Sequence, residues 1–266
     1  MSMKISVVTA SYNSEATIGF TIESFLEQDH PEKEMLVIDG ASNDATLRIV
    51  ESFGSDAIRV FSEKDKGVYD AMNKGFHLFQ GAAVGFLNSD DTFHDSGALG
   101  DIAAAMQDAD IVYGDLNMVT DHRTKRLVRS WRGGVFKRYS FQLGWVPPHP
   151  TFYMRREVVQ KVGDYDLSYI TTADYDYMLR ALALNNFRVR YIPRIIADFQ
   201  MGGISTKGWR VTALGNLECL RSRRVHLNAP IIDAAFFLRF LRRIFQIRKS
   251  GLSERAGGRS LLERRN

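Results

Sequence analysis

The chain has 266 residues and a mass of 30.2 kDa, enough for one large α/β domain with an appendage. Its hydrophobic content of 45% is ordinary for a soluble globular protein, and no apolar run approaches the ~20 residues of a membrane-spanning helix. The single cysteine, Cys219, excludes an intrachain disulfide. Since the N-terminus also lacks a signal-peptide pattern, we expect a cytoplasmic protein.

The net charge of +4 hides an asymmetry along the chain. From Lys207 onward there are 14 Lys and Arg residues against 4 Asp and Glu residues, a net charge of +10, which leaves −6 for the preceding part. An acidic body with a basic tail indicates a catalytic domain joined to an element that meets something anionic.

Apolar strand-like runs alternate with helix-spaced apolar residues through the first 113 residues. This alternation predicts a mostly parallel, doubly wound α/β sheet with helices on both faces. Asn13 or Ser14 can N-cap the first helix. The predicted strands are 4–10, 35–38, 58–61, 84–87 and 110–113. The predicted helices lie between them, with apolar faces at 18–26, 68–79 and 97–106, and a short helix ends at about residue 53.

Beyond residue 113 the alternation ends. A hairpin is predicted at 116–119 and 126–129, followed by a long loop at 131–150, which at that length is usually functional. Further elements are a strand at 151–154, a helix around 175–182 and strands at 187–192 and 195–199. We therefore predict a catalytic domain over 1–205, divided near 114 and 115 into two halves, then basic helices over 206–250 and a disordered tail over 251–266.

Acidic residues follow three successive predicted strands: Asp39, Asp65 and the pair Asp90 and Asp91. The C-terminal ends of parallel strands share one edge of a sheet, where ligands bind in open α/β folds. Adjacent carboxylates repel each other, and Mg²⁺ or Mn²⁺ would offset that repulsion while bridging to a substrate's phosphates. Taken singly, each acid could instead be a loop carboxylate or a helix cap. Together they indicate a nucleoside-diphosphate site.

Two common nucleotide-binding patterns are missing from the sequence. No G-x-G-x-x-G follows the first strand, which argues against a dinucleotide-binding Rossmann domain, and no G-x-x-x-x-G-K-[ST] loop occurs.

Four segments, in the right order, resemble family-2 glycosyltransferases with the GT-A fold. They are Ile5–Asn13, Leu36–Thr46, Lys66–Gly75 and Asn88–Asp91. The resemblance extends over about residues 4–205 and implies transfer of a sugar from a nucleotide-diphosphate donor, UDP-linked by preference, with inversion at the anomeric carbon.

The resemblance also implies roles for individual residues. Asp39 would read the nucleobase, and Asn88-x-Asp90 would stand for the family's D-x-D motif, so that Asp90 holds the metal with Asp91 assisting. Asn at the first position of this motif departs from the family pattern. The implied donor-binding residues are Thr9, Tyr12, Asn13, Asp39, Asp65, Asn73, Asn88 and Asp90.

Asp174, in the run Thr171–Asp176, resembles the family's catalytic carboxylate at the start of a helix, with Ala173 in place of a preceding Glu. An inverting transfer needs such a base to take the acceptor's proton, although Asp174 alone could equally be a helix cap. His149 and Gly203 are candidates for contact with the acceptor or the diphosphate. Their alternative interpretations are a structural histidine and a simple turn.

The segment 231–249 places six apolar residues on one helical face and three arginines on another. This pattern is typical of a helix at an anionic membrane surface, or of one packed on protein. No motif supports nucleic-acid binding.

The sequence therefore predicts a metal-dependent inverting glycosyltransferase that acts on a saccharide or lipid-linked acceptor in surface polysaccharide or glycolipid synthesis. The alternatives are a nucleotidyltransferase of related fold and a non-catalytic, membrane-associated nucleotide-binding protein. The donor sugar, the acceptor and the oligomeric state stay open at this point.

Overall fold

The computed structural model describes residues 3–201, 209–230 and 235, and these form a mixed sheet of nine strands with helices on both faces. The strands are β1 Ile5–Ser11, β2 Lys33–Asp39, β3 Ile58–Ser62, β4 Ala83–Phe86, β5 Asp91–Phe93, β6 Ile111–Val119, β7 Leu127–Trp131, β8 Tyr153–Arg155 and β9 Val189–Gln200. The helices are α1 Ile18–Leu26, α2 Thr46–Ser52, α3 Val68–Leu78, α4 Ala98–Ala105, α5 Arg156–Val162, α6 Ala173–Ala183 and α7 Trp209–Leu227.

The strand order is β3-β2-β1-β4-β8-β6-β9-β5, with β7 paired to β6 off this path. The first four strands are parallel and are joined by the helices α1, α2 and α3, as the alternation predicts. Antiparallel partners enter with β8, which lies between β4 and β6, and with β5, which pairs with β9. The sheet therefore has a parallel half that comes from residues 1–86 and a mixed half that follows.

Strand β1 is buried along its whole length, because helices cover both faces of the sheet. Ile5 and Val7 point to one face, where they join a core with α1, α2 and α4. Val8 and Ala10 point to the other face, where the core includes α3, α5 and α6. The predicted arrangement of helices on both faces is confirmed.

Two predicted boundaries are wrong for identifiable reasons. Segments 187–192 and 195–199 form one strand, β9, whose register shifts against β6 around Pro193, since proline has no N–H to donate. Helix α1 begins at Ile18 rather than after Asn13 or Ser14, because the side-chain oxygens of both residues contact other loops: Asn13 Oδ1 accepts from the Asn43 N–H, and the Ser14 hydroxyl contacts that of Ser89.

Helix α7 confirms a helix in the C-terminal segment, and it packs against α6, with Cys219 inside the core. Except for Ala235, the predicted membrane-facing segment 231–249 lies outside the described residues, as does the predicted tail 251–266. Within the described ranges, no helix combines the length and apolar character that are needed to cross a bilayer.

Candidate active site

The loops that follow β1, β2, β3 and β4 meet at one edge of the sheet, which we call the carboxylate edge: residues 11–15, 39–46, 62–67 and 87–91. Pairing of the strands sets Ser11 beside Asp39, and Asp39 beside Ser62. The first and fourth loops touch, since the hydroxyls of Ser14 and Ser89 are 2.8 Å apart. The prediction that the strand-end acids share an edge is confirmed.

Asp39 is completely buried, and its carboxylate is occupied by two serines that the sequence did not single out. Its Oδ2 accepts from the Ser42 N–H at 2.9 Å and from the Ser62 hydroxyl at 2.7 Å, and its Oδ1 accepts from the Ser42 hydroxyl. Asp39 therefore stabilises the turn after β2 and connects it to β3. Its contact with a nucleobase stays a prediction.

Asp65 and Tyr12 both approach the α-carbon of Gly40. A Cβ added to Gly40 would lie 2.6 Å from Asp65 Oδ2 and 3.3 Å from the Tyr12 ring, so a larger residue there would displace the Asp65 carboxylate. Asp65 is fixed there because its Oδ1 accepts from the Gly67 N–H at 2.8 Å. The Tyr12 side chain is 59% exposed, which offers an open aromatic face beside a carboxylate.

Asn13 connects the loop after β1 to the loop after β2. Its backbone is left-handed, with φ of 50°, its N–H donates to the Ser42 hydroxyl, and its Oδ1 accepts from the Asn43 N–H at 3.0 Å. Thr9 is fully buried in β1, and neither its hydroxyl nor that of Ser11 has a hydrogen-bond partner among the described residues. Two buried hydroxyls at one strand end are thus left for other partners.

The predicted metal pair is split between a partly exposed and a fully buried carboxylate. Asp90 is half-buried, whereas Asp91 begins strand β5 with no exposure, and its Oδ2 accepts from the Asn88 amide at 3.1 Å. Within the described part of the chain, Asp91 Oδ1 and Asn88 Oδ1 are buried without a hydrogen bond. Asp90 is therefore the member that can reach a ligand, with Asp91 directly behind it.

Burial raises the pKa of Asp90, and a backbone hydrogen bond and His122 oppose this rise only in part. Burial also raises the pKa of Asp91, well above its ordinary value, and the negative charge of Asp90 raises it further. Two carboxyls that resist ionisation at adjacent positions favour a cation beside them. The unpartnered oxygens and the oxygen-only donor set fit a hard divalent ion.

Within residues 3–201, 209–230 and 235, no group of three or more His, Cys, Asp or Glu could hold a metal by itself. An ion at Asp90 would therefore take most of its ligands from a bound phosphate and from water, which is the usual mode for Mg²⁺.

His122, in the turn between β6 and β7, contacts the backbone of Asp90. Its Nε2 lies 2.7 Å from the carbonyl oxygen of Asp90, and the side chain is buried. A single histidine 32 residues from its partner gives no sequence pattern, and the sequence analysis missed it.

A second group of polar side chains, which we call the Asp174 cluster, consists of Tyr69, Asn73, His149, Tyr165 and Asp174. Asp174 lies in the first turn of α6, where a negative charge interacts favourably with the helix dipole. The Tyr69 hydroxyl lies 3.1 Å from Asp174 Oδ1 and 2.9 Å from the Thr171 carbonyl. Among the described residues, Asp174 Oδ2 accepts no hydrogen bond.

Tyr69 joins this cluster to the carboxylate edge, because α3 begins directly after the loop that holds Asp65. Burial raises the pKa of Tyr69 well above its ordinary value, and the charge of Asp174 raises it further. The phenol therefore stays protonated as a donor. Tyr69 lies in a segment that carries the family resemblance, but nothing in its spacing indicates a role.

His149 and Asn73 both contact Tyr165. The imidazole is buried, with Nε2 at 2.9 Å from the Tyr165 hydroxyl, and burial lowers the pKa of His149 while Asp174 opposes that effect. A neutral His149 offers a hydrogen bond rather than a charge. The Asn73 amide bonds the Tyr165 backbone at both ends, at 2.8 and 3.0 Å. Its contact with the donor stays a prediction, and Gly203 lies outside the described residues.

The chain resembles known proteins in sequence. The model of the family described as Glycosyl transferase family 2 matches residues 6–163, a range that includes the carboxylate edge and His149 but ends before Asp174. A PGL/p-HBAD biosynthesis glycosyltransferase of Mycobacterium bovis (strain BCG / Pasteur 1173P2) is 29% identical over 208 residues, which cover 75% of this chain and 78% of that protein.

The chain also resembles solved structures. S. aureus TarS 1-349 in complex with UDP-GlcNAc has a TM-score of 0.65 at 21% identity, over 88% of this chain and 69% of that one. Mannosyltransferase PcManGT from Pyrobaculum calidifontis in complex with GDP-Man and Mn²⁺ has a TM-score of 0.63 at 15% identity, over 89% and 67%. At these identities the likeness is one of fold, and it confirms the predicted GT-A-like architecture.

Proposed function

The chain belongs to glycosyl transferase family 2 and is a glycosyltransferase, and we propose that it transfers a sugar from a UDP-sugar to a saccharide or lipid-linked acceptor with inversion. The observation that carries this proposal is the hydrogen bond from Tyr69 to Asp174, which leaves one carboxylate oxygen available. The preference for UDP is supported by the UDP-GlcNAc complex of TarS. The glycolipid acceptor is supported by the name of the mycobacterial relative.

In the proposed reaction, Asp174 is the general base. Its Oδ2 takes the proton of the acceptor hydroxyl while that oxygen bonds to the anomeric carbon. The bond from the anomeric carbon to the diphosphate oxygen breaks on the opposite side, and the nucleoside diphosphate leaves with the bonding electrons. Tyr69 holds the other carboxylate oxygen, so the base is oriented before the acceptor arrives.

The carboxylate edge would bind the nucleoside diphosphate. Tyr12 would stack on the base beside Asp65, and Asp39 shapes the turn between them. The buried hydroxyls of Thr9 and Ser11 and the Asn88 amide oxygen are acceptors or donors that a nucleotide could satisfy.

Asp90, backed by Asp91, would hold Mg²⁺ or Mn²⁺. When bound, the ion would supply positive charge to the departing diphosphate. His122 would fix the Asp90 backbone, and His149 would position a hydroxyl or phosphate oxygen through a neutral hydrogen bond.

Two rival functions fit the residues less well. A nucleotidyltransferase would carry a Gly-rich, Lys- or Arg-bearing loop after β1, whereas the loop here is Ser11-Tyr12-Asn13-Ser14. A non-catalytic nucleotide-binding protein would have no use for a carboxylate that is held by Tyr69 with one oxygen available. We further propose a cytoplasmic enzyme that meets an anionic membrane surface through 231–249, in the synthesis of surface polysaccharide or glycolipid.

A panel of UDP-, dTDP- and GDP-sugars tests the proposal, with release of the nucleoside diphosphate as the readout. Each donor is incubated with the enzyme and either Mn²⁺ or EDTA, without an acceptor. We expect slow hydrolysis of one donor, a UDP-sugar, with Mn²⁺ only. If no member of the panel is hydrolysed or bound, the proposal is wrong.

A further inference from the structure

Glu218, on α7, accepts hydrogen bonds from three consecutive residues that precede α6. It receives the Ile170 N–H at 2.7 Å and the Thr171 N–H at 2.9 Å. It also receives the hydroxyls of Thr171 at 2.8 Å and Thr172 at 3.1 Å. The family match ends at residue 163, so this contact lies wholly outside it.

These four bonds fix the segment that leads into α6. Thr172 is the N-cap residue, yet its side chain makes no cap hydrogen bond to the helix and donates to Glu218 instead. Backbone N–H groups need acceptors when they are withdrawn from water. A carboxylate 46 to 48 residues along the chain supplies one here, so the conformation of 170–172 depends on α7.

Thr171 is held from two directions. Glu218 binds its N–H and hydroxyl, and Tyr69 donates to its carbonyl while also reaching Asp174. The residue before the helix N-cap is thereby tied to the same phenol that orients the base. A shift of the 170–172 segment would move both the Asp174 backbone and the Tyr69 hydroxyl.

The approach of α7 is close at this point. A Cβ on Gly215, one turn before Glu218, would lie 3.2 Å from the Thr171 hydroxyl and 3.3 Å from the Thr172 methyl. Burial alone would raise the pKa of Glu218, but the hydrogen bonds from Ile170, Thr171 and Thr172 outweigh it and leave the pKa below its ordinary value. Glu218 is therefore an ionised acceptor at neutral pH.

Docking of α7 on α6 has a separate anchor further along. The Ser222 hydroxyl donates to Asp176 Oδ1 at 2.8 Å, and Arg180 binds the same carboxylate through its other oxygen. This anchor holds the two helices together without touching 170–172. It gives a matched comparison: two buried hydrogen-bonding groups on one helix, of which only Glu218 contacts the segment that leads to Asp174.

We propose that Glu218 is a positioning residue for sugar transfer, which sets the segment 170–172 so that Asp174 and Tyr69 meet in reactive geometry. The proposal rests on the proposed role of Asp174 as the base. It makes α7 part of the catalytic apparatus rather than an attached tail.

The test compares Glu218→Gln with Ser222→Ala in the full chain, by kcat and KM for the hydrolysed donor sugar. In either orientation of the amide introduced by Glu218→Gln, its NH₂ group would face a backbone N–H, that of Ile170 or that of Thr171, so the segment should shift. We expect kcat to fall roughly 10- to 100-fold in Glu218→Gln, because a displacement of about 1 Å can cost that much. KM should change less than about twofold, since the carboxylate edge is untouched. Ser222→Ala should keep the wild-type kcat.

Thr171→Val serves as a milder second variant if Glu218→Gln does not fold. It removes one donor to Glu218 and keeps the side-chain shape, so a smaller fall in kcat at constant KM is expected. Hydrogen exchange at the Ile170 and Thr171 amides gives a readout that needs no activity. Exchange should be faster in Glu218→Gln and unchanged in Ser222→Ala.

The proposal is overturned if Glu218→Gln folds with wild-type kcat, if Ser222→Ala loses kcat equally, or if the two amides exchange as in the wild type. Failure of the proposed function is a different result, namely no hydrolysis or binding of any donor by the wild type. In that case the amide exchange still decides whether Glu218 orders 170–172.

Discussion

The carboxylate edge and the Asp174 cluster differ in how many of their buried polar atoms have hydrogen-bond partners. At the edge, the Thr9 and Ser11 hydroxyls and one oxygen each of Asn88 and Asp91 are buried without a hydrogen bond among the described residues. In the cluster, Tyr69 contacts Asp174, His149 contacts Tyr165, and Asn73 is bonded at both ends of its amide.

Buried polar groups in native proteins are nearly always partnered, so unpartnered atoms that gather in one place indicate a ligand that completes them. In the Asp174 cluster, the described side chains other than Asp174 Oδ2 are already hydrogen-bonded, which orients the carboxylate before anything binds. Under the proposed function, the edge would bind the donor and the cluster would carry out the reaction. The following predictions test that division.

The largest effect is expected for Asp174→Asn. General base catalysis contributes about 100- to 10,000-fold, so turnover of the donor should fall by roughly 1,000-fold. The amide keeps the shape of the side chain and can still contact Tyr69, so folding should be preserved. A variant that retains more than about a tenth of wild-type turnover would show that another group is the base.

Asp90→Ala should come next and should act through the metal. Loss of a carboxylate that binds the metal should reduce turnover by about 100-fold or more. Even mutation of residues that only orient metal ligands reduces activity by roughly 10- to 100-fold. EDTA should reduce the wild type to a similar level and have little further effect on the variant. An equal loss on EDTA treatment in both proteins would contradict the assignment of the metal to Asp90.

Tyr69→Phe removes the hydroxyl that holds both Asp174 and the Thr171 carbonyl. One hydrogen bond to a charged group is worth about 1.5–3 kcal/mol, so kcat should fall roughly 10- to 100-fold with KM unchanged. Tyr177→Phe is the control: Tyr177 is buried in the same aromatic group, and its hydroxyl contacts only the Met154 sulfur at 3.4 Å among the described residues. Equal kcat losses in the two variants would mean that Tyr69 acts by packing alone.

The smallest effect concerns His94, a residue that belongs to neither region. Its Nδ1 lies 2.9 Å from Asp198 Oδ1, and that hydrogen bond raises the pKa of His94 above 6.5 although burial opposes it. A raised folded-state pKa stabilises the protein below pH 6.5, and the contribution disappears as pH rises through the folded value.

His94 is partly exposed and Asp198 is buried, but the amide of a glutamine can still donate to Asp198, so the free energy of unfolding lost in His94→Gln should be about 1 kcal/mol near pH 6. The loss should be smaller near pH 9, where the histidine is neutral in both folded and unfolded chains. Turnover should match the wild type. A loss of stability that does not vary with pH would mean that the pair contributes through packing rather than charge.

The sequence located the carboxylate edge because strand periodicity and strand-end acids are local patterns. It placed Asp39, Asp65 and Asp90 on one edge, but it did not reveal that Ser42 and Ser62 occupy Asp39, since hydrogen-bond partners depend on loop geometry. The family resemblance singled out Asp174, but the sequence did not reveal that Tyr69 contacts its carboxylate. His122 and Glu218 reach their targets from 32 and 46 to 48 residues away, and no spacing rule encodes such contacts.

Donor binding in the absence of turnover is the most direct test of the division between the two regions. Calorimetric titration of UDP in the presence of Mn²⁺ would be carried out on the wild type, Asp174→Asn and Asp90→Ala. The division predicts wild-type affinity for Asp174→Asn and a loss of at least about tenfold for Asp90→Ala. Equal losses of affinity in the two variants would contradict it, because the Asp174 cluster would then be part of the donor site.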